Sequence, residues 1–173
     1  MAHGDDHVMR VLKIARYIAE REGANLEVVL KAAELHDSCR NEENHAVKSA
    51  EFARAVLKKQ GYGEEFIEAV AHAIEAHSFS GGIEPKTLEA KILSDADKID
   101  AMGAIGVARA FMVAGEKGRK IEETLKHFEE KLLKLKERLY TETAKKLAEK
   151  RHEFLKFFYE EIRKELDFEF DKN

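Results

Sequence analysis

Cysteine, proline and tryptophan are almost missing: one Cys, one Pro and no Trp in 173 residues. A lone Cys39 excludes an internal disulfide framework. With Pro85 as the only proline, little interrupts helices along the chain. No apolar run approaches the roughly 20 residues of a membrane span. The opening "MAHGDDHVMR" also lacks the apolar stretch of a secretory leader. These absences predict a cytoplasmic, reducing setting and no membrane partner. Charge of one sign is missing too. Lys and Arg number 30 against 34 Asp and Glu, a net charge of -4 with no dominant basic tract, which argues against nucleic acid as the main partner.

What is present is helical spacing. Val8, Val11, Leu12, Ala15, Ile18 and Ala19 recur at three- and four-residue steps and predict a helix over about 5–22, ended by Gly23. Leu26, Val29, Leu30 and Ala33 mark a second helix that runs into His36-Asp37. A third is predicted over about 44–60, and Phe66, Val70, Ile74 and His77 mark a fourth. "SFSGGIEP" reads as a loop, with Pro85 placed to start a fifth helix that carries Leu88, Ile92 and Leu93 into "SDADKIDAMGAIG". Past Gly118 the pattern predicts two long amphipathic helices. No segment alternates polar and apolar residues, so the expected fold is all-α and single-domain. A chain of this length buries a sizeable core without a structural metal, so a bound metal would serve chemistry.

"AAELHDSCR" then poses a problem, because an imidazole and a carboxylate end an apolar helix and burying either unpaired is costly. His7 shares the stripe of Val11 and Ile18, and Asp97 follows Leu93 by four residues. Two imidazoles and two carboxylates form a nitrogen and oxygen donor set suited to Mn, Fe, Ni or Zn, not to a thiolate-seeking ion. The residues alone leave a plainer reading open. His7 is also placed as a satisfied core histidine, and Asp95, Asp97 and Asp100 in "DADKID" as caps or partners of Lys98. Periodicity does not choose among the three acids.

His7, His36-Asp37 and the Asp of "ADK" match the sparse signature of the HD-domain phosphohydrolase superfamily. "AAELHD", "AIEAHSFSGGIEP", "LEAKILSDADKIDAMGAIGVAR" and "FEEKLLKLKERLYTETAKKLAEKRHEFLKFF" together resemble one bacterial and archaeal branch of it. The resemblance implies an HD-type helical bundle over residues 1–115 with a helical extension over 116–173. It implies His7, His36, Asp37 and Asp97 as ligands of a divalent ion (Mn, Fe, Ni, Mg or Zn, the Mn class favoured). The implied reaction is hydrolysis of a phosphate ester or nucleotide, foremost a (d)NTP, with release of pyrophosphate or phosphate by a metal-activated water. Asp37, His77 and Asp95 are the catalytic candidates, and Arg10, Arg40, His45 and Lys98 the substrate-binding ones. Many superfamily members carry an acid three residues after the paired Asp, where this chain has Arg40. Proton handling is therefore open among Glu34, Glu42, Glu43, Asp95 and His77. A non-hydrolytic nucleotide sensor and an HD-type iron oxygenase are the alternatives, and a homodimer is compatible with the sequence.

Overall fold

The computed structural model describes residues 5–78 and 81–168. Phe79 and Ser80 of the expected loop lie outside the described residues. Among the described residues the chain forms eight α-helices, α1 (Asp5–Glu22), α2 (Leu26–Leu35), α3 (His45–Lys59), α4 (Glu64–Glu75), α5 (Leu88–Asp100), α6 (Gly103–Glu116), α7 (Ile121–Glu130) and α8 (Glu142–Leu166). No described helix is long and apolar enough to cross a membrane.

Local chemistry fixes the first helix boundaries. Gly23 takes φ +74° at the end of α1, which lets Ala24 N–H return to the Ala19 carbonyl. Asn25 then caps α2, its side chain accepting from the N–H groups of Glu27 and Val28. Pro85 does not open α5. The Thr87 hydroxyl does so by capping the Ala90 N–H, so the helix begins three residues later than the proline pattern predicts.

Helices α1, α2, α4 and α5 form the central group, α3 packs on α4, and α6, α7 and α8 close the side next to α5. The stripe Val11, Ala15 and Ile18 is fully buried, as are Val29, Ala32 and Ala33 on α2 and Ile92, Leu93, Ala96 and Ile99 on α5. Alanine is frequent in this core, and its small side chain lets helix axes approach closely around the buried polar residues.

Two stretches depart from the sequence reading. Residues after Asp100 reverse into the separate helix α6, which periodicity does not mark. Gly103 there takes φ +68°, and a Cβ on Gly106 would stand 2.2 Å from the Ala101 carbonyl oxygen. The first expected extension helix is also cut short at Glu130. Two single-turn 3-10 helices, Leu132–Lys134 and Lys136–Arg138, follow it. Leu132, Leu135 and Leu139 are all buried, and their three- and four-residue steps suit a continued α-helix equally, so the break is not marked by the apolar spacing.

Glu22 ties α1 to α8, its carboxylate accepting from the Thr143 N–H in the first turn at 2.8 Å. Hydrogen bonds from Thr143 hold its pKa below the ordinary carboxylate value. A depressed pKa stabilises the fold above the unfolded-state value, and the contribution fades as pH falls through the folded one. Glu22→Gln is therefore expected to cost about 0.5 to 1 kcal/mol in urea unfolding at pH 7 and progressively less as the pH is lowered below the ordinary carboxylate range.

Candidate active site

The centre is assembled around His7. Asp97 and Asp100 are three residues apart on α5 and so share one face. They meet the two nitrogens of the His7 ring, with Asp100 Oδ2 2.8 Å from Nδ1 and Asp97 Oδ1 3.4 Å from Nε2. His36 is the residue that ends α2. Its Nδ1 folds back to the Ala33 carbonyl at 2.8 Å, satisfying one of the acceptors a helix end leaves open. Because a carbonyl only accepts, His36 Nδ1 carries the proton and Nε2 the lone pair. The Asp100 carboxylate imposes the same state on His7.

The two Nε2 atoms consequently face one another at 3.3 Å. Asp37 Oδ2 lies 3.4 Å from the first and 3.8 Å from the second. Donor atoms of His7, His36 and Asp37 thus lie within 4.8 Å of one another, with Asp97 Oδ1 beside His7 Nε2, and a cation reconciles them: a proton on His7 or a metal ion. Donors about 2.1 Å from one ion stand roughly 3.0 to 3.4 Å apart, close to the spacings seen. His7, His36 and Asp37 are buried or nearly so, and Asp97 is partly open. The donor set and spacing fit a divalent metal, and the Asp100–His7 pair is the carboxylate–histidine arrangement that holds a metal-binding ring in place.

The electrostatics agree with that assembly. Burial lowers the His7 pKa, but hydrogen bonds to Asp100 and Asp37 outweigh it and raise the value overall. Burial raises the Asp37 pKa, and the His7 hydrogen bond with the charges of His36 and Arg40 outweighs it, leaving the carboxylate ionised. Asp100 is brought down to about 2 against the cost of burial by His7, Arg10 and Arg109. Arg10 bonds Asp100 through Nε at 2.6 Å, so this expected substrate contact is engaged with a carboxylate behind the centre.

A second group adjoins the first. Donor atoms of Asp37, His45 and His77 lie within 4.8 Å of one another. His77 gives its Nδ1 proton to the Ile74 carbonyl. Among the described residues, its Nε2 and that of His45 are buried without a hydrogen-bond partner. Burial first, then the nearby His36, lowers the His77 pKa to about 4, so the ring is neutral at pH 7 and its Nε2 is an acceptor. Arg40 bonds Asp37 at 3.1 Å from one turn along the chain.

Asp95 and Lys98, expected at the site, are occupied elsewhere. Asp95 is two residues before Asp97, about 200° around the helix. Its buried carboxylate accepts from Tyr140 N–H at 2.9 Å and from the N–H and hydroxyl of Thr141, each at 2.8 Å. It fastens the start of α8 to α5 instead of meeting the donors around His7. Asp95→Ala should therefore lose about 2 to 4 kcal/mol of stability in chemical denaturation with metal content unchanged. A stable variant depleted of metal would contradict this structural role. Lys98 Nζ donates to Ser94 Oγ at 2.5 Å and is buried, which lowers its pKa.

Of the cations that gather beside Asp97, the sequence reading named Arg40 and missed the other four. A cleft at the junction of α5, α6 and α7 is lined by Arg40, Arg109, Lys117, Arg119 and Lys131, with Asp97 its one acid. Arg109 also bonds Asp100 through Nη1. Its signal was hidden, because Arg109 reaches Asp100 only through the tight reversal at Gly103 and Gly106.

All-helical packing around a buried His, His-Asp, Asp cluster defines the HD domain, and the profile of that domain matches residues 4–102. The chain belongs to the HD-domain family and is an HD-superfamily hydrolase. It is 39% identical over 173 residues to YpgQ of Bacillus subtilis, covering 95% of this chain and 84% of YpgQ. The crystal structure of YpgQ in complex with ADP superposes with a TM-score of 0.81 at 37% identity, covering 95% of this chain and 90% of that one. An HD-superfamily hydrolase from Bacillus thuringiensis gives a TM-score of 0.74 at 36% identity, covering 95% and 87%.

Proposed function

We propose that the protein is a metal-dependent phosphohydrolase of nucleotides, with nucleoside triphosphates as preferred substrates. The observation that carries this reading is the set of five cationic side chains that line one cleft together with Asp97 of the donor cluster. A polyanionic ligand held in that cleft would lie beside Asp97. The ADP held by YpgQ, a relative that matches along nearly all of this chain, supports the same ligand class.

A divalent ion of the Mn class held by His7, His36, Asp37 and Asp97 would supply Lewis acidity and an ionised water at neutral pH. The chain's own residues do the rest. Asp100, braced by Arg10 and Arg109, keeps His7 in the tautomer that offers Nε2. Arg40, Arg119 and Lys131 neutralise and orient the phosphates, leaving one phosphoryl group beside Asp97. His77 Nε2 faces Asp37 as a neutral acceptor and orients a water or takes its proton. No acidic side chain is needed where Arg40 stands.

Metal-loaded protein incubated with nucleoside tri-, di- and monophosphates, with products separated by chromatography, tests the assignment. Triphosphates should be turned over fastest, and Arg119→Glu should raise KM for them by about tenfold or more without changing metal content. Equal turnover of all three classes would remove the polyphosphate from the argument. A second reading rests on the Asp37, His45 and His77 group, which offers donors for a second ion of the kind an iron oxygenase requires.

A further inference from the structure

A second cavity, of about 510 Å³, shares no lining residue with the cationic cleft among the described residues. Its walls are the loop after α4, Ser94 and Lys98 of α5, and Leu139 and Tyr140 ahead of α8. It adjoins the donor cluster, because its lining residue Ala76 precedes His77 and its lining residue Lys98 follows Asp97. Its charge is of another kind. Lys98 and Arg138 stand against Glu84 and Glu137, whereas the cleft sets five cations against one acid. A polyphosphate is drawn to the cleft, and a balanced cavity with apolar walls suits the uncharged part of a ligand.

Lys98 is the group in this cavity that the fold leaves unexplained. It is 6% exposed, and its Nζ donates to the Ser94 hydroxyl at 2.5 Å and to the Ser94 carbonyl at 3.3 Å. Among the described residues no carboxylate pairs with it, and neighbouring Asp95 is taken up by Tyr140 and Thr141. An ammonium has three donors, so one is left on the cavity side, where the centre of the Tyr140 ring lies 5.0 Å from Nζ. A buried donor of that kind calls for an acceptor. Tyr140 itself is 42% exposed, an aromatic side chain held at the cavity wall by its backbone N–H on Asp95.

We propose that this cavity takes the nucleoside half of the substrate, with the base packed against the Tyr140 side chain and accepting from Lys98 Nζ, while the polyphosphate occupies the cationic cleft. This rests on the nucleotide-hydrolase reading of the centre and the cleft. A nucleobase carries ring nitrogens or carbonyl oxygens that accept such a bond, and its flat apolar faces suit an aromatic wall. The Asp95 carboxylate then has a use beyond fastening α8. By holding the Tyr140 and Thr141 N–H groups it sets the distance between Tyr140 and Lys98, both of which would touch the base.

Calorimetric titration of ATP and of inorganic triphosphate into metal-free protein compares the two halves of the ligand without turnover. Wild type is expected to bind ATP about tenfold or more tighter than triphosphate, the surplus belonging to the nucleoside. Tyr140→Ala keeps the backbone N–H that Asp95 accepts, and Lys98→Met keeps much of the side chain without its donors. Each should weaken ATP by about fivefold or more and leave triphosphate within about twofold of wild type, with circular dichroism as the check on folding. Because Tyr140 is at the surface, its variant carries the test alone if Lys98→Met does not fold. ATP binding unchanged in Tyr140→Ala would overturn the proposal and put the nucleoside elsewhere. Equal affinity of wild type for ATP and triphosphate would overturn it too, with the cleft intact as the polyphosphate site. Parallel weakening of both ligands would assign Tyr140 and Lys98 to the phosphates and overturn it as well. Binding of neither ligand by wild type would remove the proposal together with the reading on which it rests.

Discussion

Asp97→Ala and His36→Ala are expected to lose nucleotide hydrolysis by about a thousandfold or more while remaining folded. The magnitude follows from the several kcal/mol of transition-state stabilisation that a bound divalent ion contributes, at about 1.36 kcal/mol per factor of ten. His36 is the sharper of the two tests. Its Nδ1 is fixed to Ala33 inside its own helix, so replacing the ring removes the Nε2 donor, one local hydrogen bond and the buried ring contacts with His7 and His77. Asp97 is partly open, so its loss leaves less buried charge without a partner than loss of Asp37 would. Native circular dichroism together with near-wild-type turnover in either variant would exclude these residues from the reaction. Elemental analysis of the same samples should show metal falling in parallel with rate.

His77→Ala is expected to keep one equivalent of metal per chain while turnover falls by about 100 to 10,000-fold, the usual range for a positioned proton acceptor. The ring is buried, neutral at pH 7 and aimed toward Asp37, with no partner for Nε2 among the described residues. A catalytic acceptor and a ligand of a second ion both account for that unpaired atom, and the metal content of the variant separates them. Loss of half the bound metal, with oxygen-dependent turnover in wild type, would favour the oxygenase reading over hydrolysis.

The features visible in the sequence are those set by local spacing. The bounds of α1 follow from an apolar stripe and Gly23, and His7 was placed on that stripe because side chains three and four apart share a face. The pairing of His36 with Asp37, and Asp97 one turn past Leu93, followed from the same rule and from the family resemblance. The hidden features depend on chain reversals and on partners far along the sequence. Nothing within one helix period tells that Asp95 caps the approach to α8 through residues 140 and 141, or that Arg109 returns to Asp100. The cationic cleft was hidden for the same reason, since its lysines and arginines come from segments whose charges balance when counted along the chain. The break after Glu130 shows the limit of periodicity itself, because Leu132, Leu135 and Leu139 keep the three- and four-residue steps of an amphipathic α-helix through a segment that forms two 3-10 turns.

One divalent ion, held by two imidazoles and two carboxylates beside a cationic cleft, is proposed to make this chain a nucleotide hydrolase. The decisive experiment is titration of chelator-stripped protein with Mn(II), with nucleoside triphosphate hydrolysis followed at each addition. Turnover is predicted to be absent in the stripped protein, to rise with added ion and to level off near one equivalent per chain. Hydrolysis that survives stripping, or that stays absent at every metal concentration, would contradict it.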